Sequence, residues 1–253
     1  IGINVRSTVA TYCGALDDVR RAYARTDSAK AAGLKMGDFS YNTGSLRCAT
    51  CDGTGQISLD VQFLPDVDIA CPDCRGSRYD TAAEKIRRPE KGAPDDRALS
   101  LPHLLALSVN EALPHVADVK KAHEKLQTLH DLGLGYLTLG EATPALSGGE
   151  AQRLKLASEM DRGQADAVFV FDEPTIGLHP RDVETLLGVF QRLVEQGATV
   201  VVVEHDLDFI ANADYVIDMG PQGGKAGGRI VACGTPEEIA ANRESVTGRY
   251  LEI

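Results

Sequence analysis

Two textures of apolar residues divide this chain. Between about residues 103 and 135, apolar positions recur at helical intervals. Leu126, Leu129 and either Leu132 or Gly133 share one face of "AHEKLQTLHDLG", which then stops on glycines. From Ala165 onward, short continuous apolar runs alternate with helical stretches. "AVFVF" predicts a buried strand, "RDVETLLGVFQRLVEQG" a helix closed by Gly197, and "ATVVVV" a second buried strand. "DLDFIANA" predicts a short helix, "DYVIDM" a third strand and "GRIVACG" a fourth. Apolar strand runs separated by helices of this length predict an α/β fold whose parallel strands are covered by helices. Upstream, "QISLDVQFLPDVDIA" alternates apolar and polar residues around Pro65 as a small hairpin would, and "RRPEKGAPDDR" reads as a loop.

With 253 residues the chain has room for one large domain or two smaller ones. Its apolar runs are strand-sized and too short to span a bilayer, so no membrane association is expected. The opening "IGINVRSTVATY" lacks the charged and apolar stretches of a secretion signal, which makes the cytoplasm the default location. It also lacks an initiating Met, which points to a segment of a longer polypeptide. The net charge of −11 argues against a general polyanion binder. The charge is unevenly spread, however. Residues 1–47 carry seven Lys/Arg against four Asp/Glu, residues 48–74 none against five, and residues 75–91 six against three. Two mildly basic segments therefore flank an acidic one, consistent with a local nucleic-acid face or with a solvated surface.

The acidic segment carries four of the six cysteines, as "CATC" (Cys48, Cys51) and "CPDC" (Cys71, Cys74), with 19 residues between the pairs. Two C-x-x-C knuckles at that separation match a four-thiolate zinc site, because the two-residue gap lets both sulfurs converge on one tetrahedral ion. Glycines follow each knuckle in "CDGTG" and "CRGSR", where a tight turn requires positive φ. Two disulfides or a redox pair would be the alternative, disfavoured in a reducing compartment. Four thiolates leave no open position for a catalytic water, so the expected role of the zinc is structural. Cys13 and Cys233 stand alone and read as ordinary small residues.

Three further stretches carry chemistry. In "ALSGGEAQRLK", Ser147 followed at the third position by Glu150 is a capping box, so a helix begins at Gly148. Gly148 and Gly149 let a phosphate approach the backbone, where free N–H groups and partial positive charge await it. "VFVFDEP" puts Asp172 and Glu173 at the carboxyl end of a strand, where open α/β sheets bind ligands. Asp172 suits a magnesium contact through water, and Glu173 suits the polarisation of an attacking water. Thirty-two residues after Glu173, "VVVVEHD" brings His205 to the same sheet edge, where an imidazole can bond a γ-phosphate.

"LSGGEAQR", "VFVFDEPTIGLHPRD" and "VVVVEHD" resemble, in that order, the signature, the Walker B with D-loop, and the His-switch of ABC-type ATPases. With a cysteine module ahead of the signature, the chain resembles the UvrA family, the damage-recognition ATPase of bacterial nucleotide excision repair. "RSTVATY", "FLPDV", "GPQGGKAGG" and "TGRYL" add to the likeness, which covers almost the whole chain and is least distinctive over residues 84–102. The resemblance implies the C-terminal part of a second ABC-type module. Residues 1–47 would follow a P-loop, 48–80 form the zinc module, 81–164 a helical signature subdomain, and 165–253 the ATPase core. It implies ATP, Mg2+ and structural Zn2+ as cofactors. Catalysis would rest on Glu173 and His205, and nucleotide contacts on Ser147, Gly148, Gly149, Glu150, Gln152 and Asp172. For the full-length protein it implies a homodimer acting on damaged double-stranded DNA with other excision-repair subunits.

A P-loop reads G-x-x-x-x-G-K-[ST]. The one Gly-Lys dipeptide here, Gly224-Lys225, is followed by Ala226, and Met219 occupies the leading glycine position. By the resemblance, Ser147, Gly148 and Gly149 face nucleotide held by the opposite module, and Asp172, Glu173 and His205 serve nucleotide on this module's own P-loop. The segment alone is then expected to bind zinc but to have little ATPase activity. The chain departs from the family pattern in "GINVRS", where a second arginine and a proline are usual, and in a basic stretch thinned to Lys30 and Lys35. Two other functions stay open at this point: a UvrA-like ATPase in resistance to DNA-binding drugs, and a zinc-stabilised binding scaffold.

Overall fold

A computed structural model of the chain describes residues 4–59, 67–89, 97–160, 166–220 and 227–251. Pro65 of the hairpin, most of "RRPEKGAPDDR" and "FLPDV", and the centre of "GPQGGKAGG" lie outside the described residues. The chain divides into two compact units, Ile1–Gly163 and Gln164–Ile253.

The first unit opens with three short helices, α1 (Val9–Tyr12), α2 (Ala15–Tyr23) and α3 (Asp27–Ala31). An antiparallel hairpin follows, β1 (Gln56–Leu59) paired with β2 (Val67–Ala70). A two-residue ribbon, β3 (Arg87–Arg88) with β4 (Leu99–Ser100), leads to α4 (Leu101–Leu105), α5 (Val109–His115), α6 (Lys120–Leu129) and α7 (Gly148–Glu159). Leucines fill the core of this unit. Leu101, Leu104, Leu126, Leu129, Leu132 and Leu134 are fully buried, so Leu132 rather than Gly133 completes the apolar stripe. Gly133 instead turns the chain, at a φ of 70° within the wide helical turn His130–Leu134. Lys125 ties α6 to α2 by donating to the Gly14 carbonyl at 2.9 Å and pairing with Asp18 at 3.0 Å.

The second unit contains β5 (Val168–Asp172), α8 (Pro180–Glu195), β6 (Thr199–Val203), α9 (Leu207–Ala211), β7 (Val216–Gly220), β8 (Arg229–Gly234) and α10 (Pro236–Ala241). β5 and β6 pair in parallel, with Asp172 opposite Val203, as a βαβ crossover through α8 dictates. β7 and β8 depart from the expected parallel arrangement. They form a separate antiparallel ribbon, because the eight residues between Gly220 and Arg229 are too few for a parallel crossover, which needs about a dozen. The terminal "TGRYL" region closes this ribbon: Ser245 Oγ and Thr247 Oγ1 both donate to the Asp218 carboxylate, at 2.6 and 3.1 Å.

Burial of the strands also differs from expectation. Phe171 is 5% exposed and stacks on Phe190 of α8 at 4.6 Å, which in turn meets Phe209 edge-on at 5.6 Å. The opposite face is open. Val168, Val170, Val201 and Val203 are 65%, 69%, 46% and 56% exposed. A continuous valine run is the pattern of a strand covered on both faces. Among the described residues only the α8 side is covered. Among those residues, too, no helix is long and apolar enough to cross a membrane.

This asymmetry separates neighbouring positions on one strand. Phe171→Ala should cost about 3–5 kcal/mol of unfolding free energy. Val170→Thr should stay within about 0.5 kcal/mol. Urea unfolding of the second unit's transition measures both, and equal costs would contradict one-sided burial.

Candidate functional site

The four cysteines come together. Their sulfurs all lie within 4.8 Å of one another, with Cys48 to Cys71 at 3.9 Å and Cys51 to Cys74 at 3.6 Å. A tetrahedron with metal–sulfur bonds of about 2.3 Å has edges of roughly 3.8 Å, so the spacing suits zinc and is far too long for disulfides. The two knuckles are built alike. After each second cysteine, two residues take left-handed backbone: Asp52 and Gly53 at φ of 51° and 76°, Arg75 and Gly76 at 51° and 89°. A Cβ on Gly53 would sit 1.7 Å from the Tyr41 carbonyl oxygen, so the turn admits glycine alone. The Gly55 amide donates to Cys51 Sγ at 3.3 Å. Burial pushes the Cys74 thiol up to about 12 and raises Cys48 as well. Burial acts the same way on Cys51, but the Gly55 amide and the neighbouring thiols outweigh it and bring Cys51 down to about 7. Four thiolates crowded together without countercharge are unfavourable, which is the condition a divalent cation relieves.

Arg78 fastens this module to the start of the chain. It is buried, lies 5.3 Å over the Tyr41 ring, and donates to the Val5 and Gly53 carbonyls at 3.0 and 3.4 Å. Tyr41 donates to the Arg6 carbonyl at 3.0 Å, and Tyr79 to that of Phe39 at 2.8 Å. Sequence reasoning counted Arg78 merely as part of a basic flank, since no local pattern marks a buried guanidinium. Five of the seven cations of residues 1–47 also face acids: Arg6 and Arg47 share Asp52, while Arg20, Arg21 and Lys30 pair with Asp17, Asp18 and Asp27. Such exposed pairs are weak, yet they reduce the net field of that flank.

In the same unit, Ser147 caps α7. Its Oγ accepts from the Glu150 amide at 3.3 Å, and Glu150 Oε2 accepts from the Ser147 amide at 2.6 Å. Tyr136, which sequence reasoning passed over, donates its hydroxyl to the other Glu150 oxygen. Partial burial would raise the Glu150 carboxyl, but the bonds from Tyr136 and Ser147 hold it below its ordinary value. Among the described residues nothing lies within 4 Å of a Cβ built on Gly148, so that position at the front of the helix is open, and the first amides of a helix have no intrahelical acceptor. Gly149 is half-buried behind it. Gln152 lies deeper, and its buried Oε1 has no hydrogen-bond partner among the described residues.

The second unit assembles the other group. Beyond Asp172 the ladder continues for one more bond, from the Glu173 amide to the Val203 carbonyl at 2.8 Å. Glu173 takes a φ of 47°, uncommon for a residue with a Cβ. Its Oε1 then lies 3.6 Å from His205 Nδ1, with the imidazole 75% exposed. Asp172 is exposed at the strand tip. Asp172, Glu173 and His205 therefore gather at one end of β5 and β6, while Ser147 to Gln152 form a separate group in the other unit. Glu204, unremarked in the sequence, fills the space between the two strand ends. Burial would raise its carboxyl, but bonds from Thr175, His205 and Asp206 lower it.

No protein-family model matches the chain. Along its whole length it is 48% identical to UvrABC system protein A of Bacillus subtilis (strain 168) and 46% identical to that of Streptococcus pneumoniae (strain ATCC BAA-255 / R6). It spans about a quarter, 26%, of each of these relatives. Among solved structures, UvrA2 from Deinococcus radiodurans superposes with a TM-score of 0.85 at 44% identity, covering 99% of this chain and 30% of that one.

The capping geometry predicts that Ser147→Ala loosens the first turn of α7. The cost should be about 1 kcal/mol, read as faster hydrogen exchange at the Glu150 amide with β5 amides unchanged.

Proposed function

We propose that this chain, which matches a UvrA segment from end to end, supplies the signature and hydrolytic elements of an ABC-type ATPase that acts in DNA excision repair. The observation that carries the reading is the meeting of Glu173 and His205 at 3.6 Å, beside Asp172 at the tip of a parallel strand pair. In this role Glu173 polarises the water that attacks ATP, and His205 bonds the γ-phosphate. Asp172 would hold the accompanying magnesium, which neutralises charge developing on the phosphates. Ser147, Gly148 and Gly149 offer amides and a helix N-terminus to a triphosphate held by a second ATPase module, with Glu150 and Gln152 supporting that turn.

Four buried, converging sulfurs support a structural zinc site at Cys48, Cys51, Cys71 and Cys74. The ion would fix the hairpin to the Arg78 and Tyr41 anchor. Damaged double-stranded DNA, the other excision-repair subunits and a second copy of the full-length polypeptide are the partners this function entails. The four-part division at residues 47, 80 and 164 assigns the zinc module and signature helix to the first compact unit and the hydrolytic core to the second.

Glu173→Gln, in the polypeptide that carries this segment together with a P-loop, should lower ATP turnover about 10²- to 10⁴-fold while leaving ATP binding intact. Undiminished turnover would overturn the role of Glu173. Elemental analysis of the chain should return one zinc per molecule, lost in Cys74→Ser. A metal-free wild-type protein would remove the zinc site.

A further inference from the structure

β5 and β6 are held in register only as far as Asp172 and Val203, with one further bond from the Glu173 amide. Past that point the two segments enter separate turns. One enters the turn Glu173 to Leu178, with glutamate in left-handed backbone and Gly177 at a φ of 75°. The other passes through His205 to Asp206, the cap of α9. The His205 side chain is 75% exposed, so packing does not fix it. Some other interaction must keep the two turns together if Glu173 and His205 are to act as a pair.

We propose that Glu204 is the positioning residue that does this, a carboxylate clamp between the two turns. Its two oxygens divide the work. Oε1 accepts from the Thr175 amide at 2.9 Å and from the Thr175 hydroxyl, both on the turn after β5. Oε2 accepts from the His205 amide at 2.9 Å and from the Asp206 amide at 3.3 Å, both on the turn after β6. An ionised carboxylate has about four acceptor sites, and all four are taken, so Glu204 has no vacancy for a metal ion or a substrate proton. It acts through its neighbours. Bonds to an ionised acceptor are roughly twice as strong as neutral ones, which suits a clamp across two otherwise open turns. The Ile176 amide to Glu173 carbonyl bond at 3.2 Å and the Leu178 amide to Thr175 carbonyl bond at 3.0 Å carry the constraint into the rest of the first turn.

The importance of the clamp to turnover rests on the ATPase reading above, whereas its existence does not, and two measurements separate them. In this chain, Glu204→Gln retains the size of the side chain but replaces one acceptor by a donor. Amide hydrogen exchange by NMR should then accelerate about ten-fold or more at Thr175, or at His205 and Asp206, with β5 amides unaffected. Thr175→Val, which loses only the hydroxyl, should give a smaller acceleration confined to its own turn. In the longer polypeptide carrying a P-loop, Glu204→Gln should lower kcat about ten-fold or more with KM for ATP within about two-fold. Unchanged exchange in both variants overturns the clamp, whatever the kinetics show. Accelerated exchange with unchanged kcat overturns its role in positioning the Glu173 and His205 pair. Undiminished turnover in Glu173→Gln would instead sink the ATPase reading and leave the exchange result to decide the clamp.

Discussion

The parallel pairing of β5 with β6 is the constraint from which the grouping of Asp172, Glu173 and His205 follows. Parallel strands point their carboxyl ends the same way, so side chains far apart in sequence emerge at one edge. The register that sets Asp172 against Val203 brings Glu204 level with Glu173 and His205 one residue beyond it, so that Glu173 and His205 leave the sheet at the same end. A slip of one residue would turn Asp172 to the α8 face and bury a charge against Phe190. The stacking of Phe171 on Phe190 opposes such a slip, because on β5 phenylalanines take the covered face and valines the open one.

The cysteine module obeys a different logic. Its core is four sulfurs with Ile57 packed against them, too small to hold a fold by apolar burial alone. Positive-φ turns aim the sulfurs inward, and Arg78 with Tyr41 and Tyr79 joins the module to the segment before it. Among the described residues, the Arg78 guanidinium is held by an aromatic ring and two carbonyls, with no acid paired to it. These contacts anchor the module to the chain before it through the protein's own groups.

Charge is spent locally in both units. Asp52 gathers Arg6 and Arg47, Glu150 serves the cap of α7, and Glu204 joins two turns. The net charge of −11 consequently says little about any one surface. What a DNA phosphate would meet depends on which cations are already paired, and that is a property of the folded chain.

The sequence alone determined the local chemistry: knuckle spacing, the Ser147 capping box, the acid-tipped strand and the helical stripe through Leu126 and Leu129 all arise from neighbours within a few residues, whereas burial chose Leu132 over Gly133 as the next position. It also determined the likeness to UvrA, since motif order survives without coordinates. Tertiary structure decided what depends on distant partners. The burial of Arg78, the Tyr136 bond to Glu150 and the reach of Glu204 to Thr175 have no short-range signal, because these partners lie between 14 and 73 residues away. The open valine face was likewise invisible, because an apolar run records that a strand is suited to burial on both sides, while the layers actually packed against it are set by the rest of the fold.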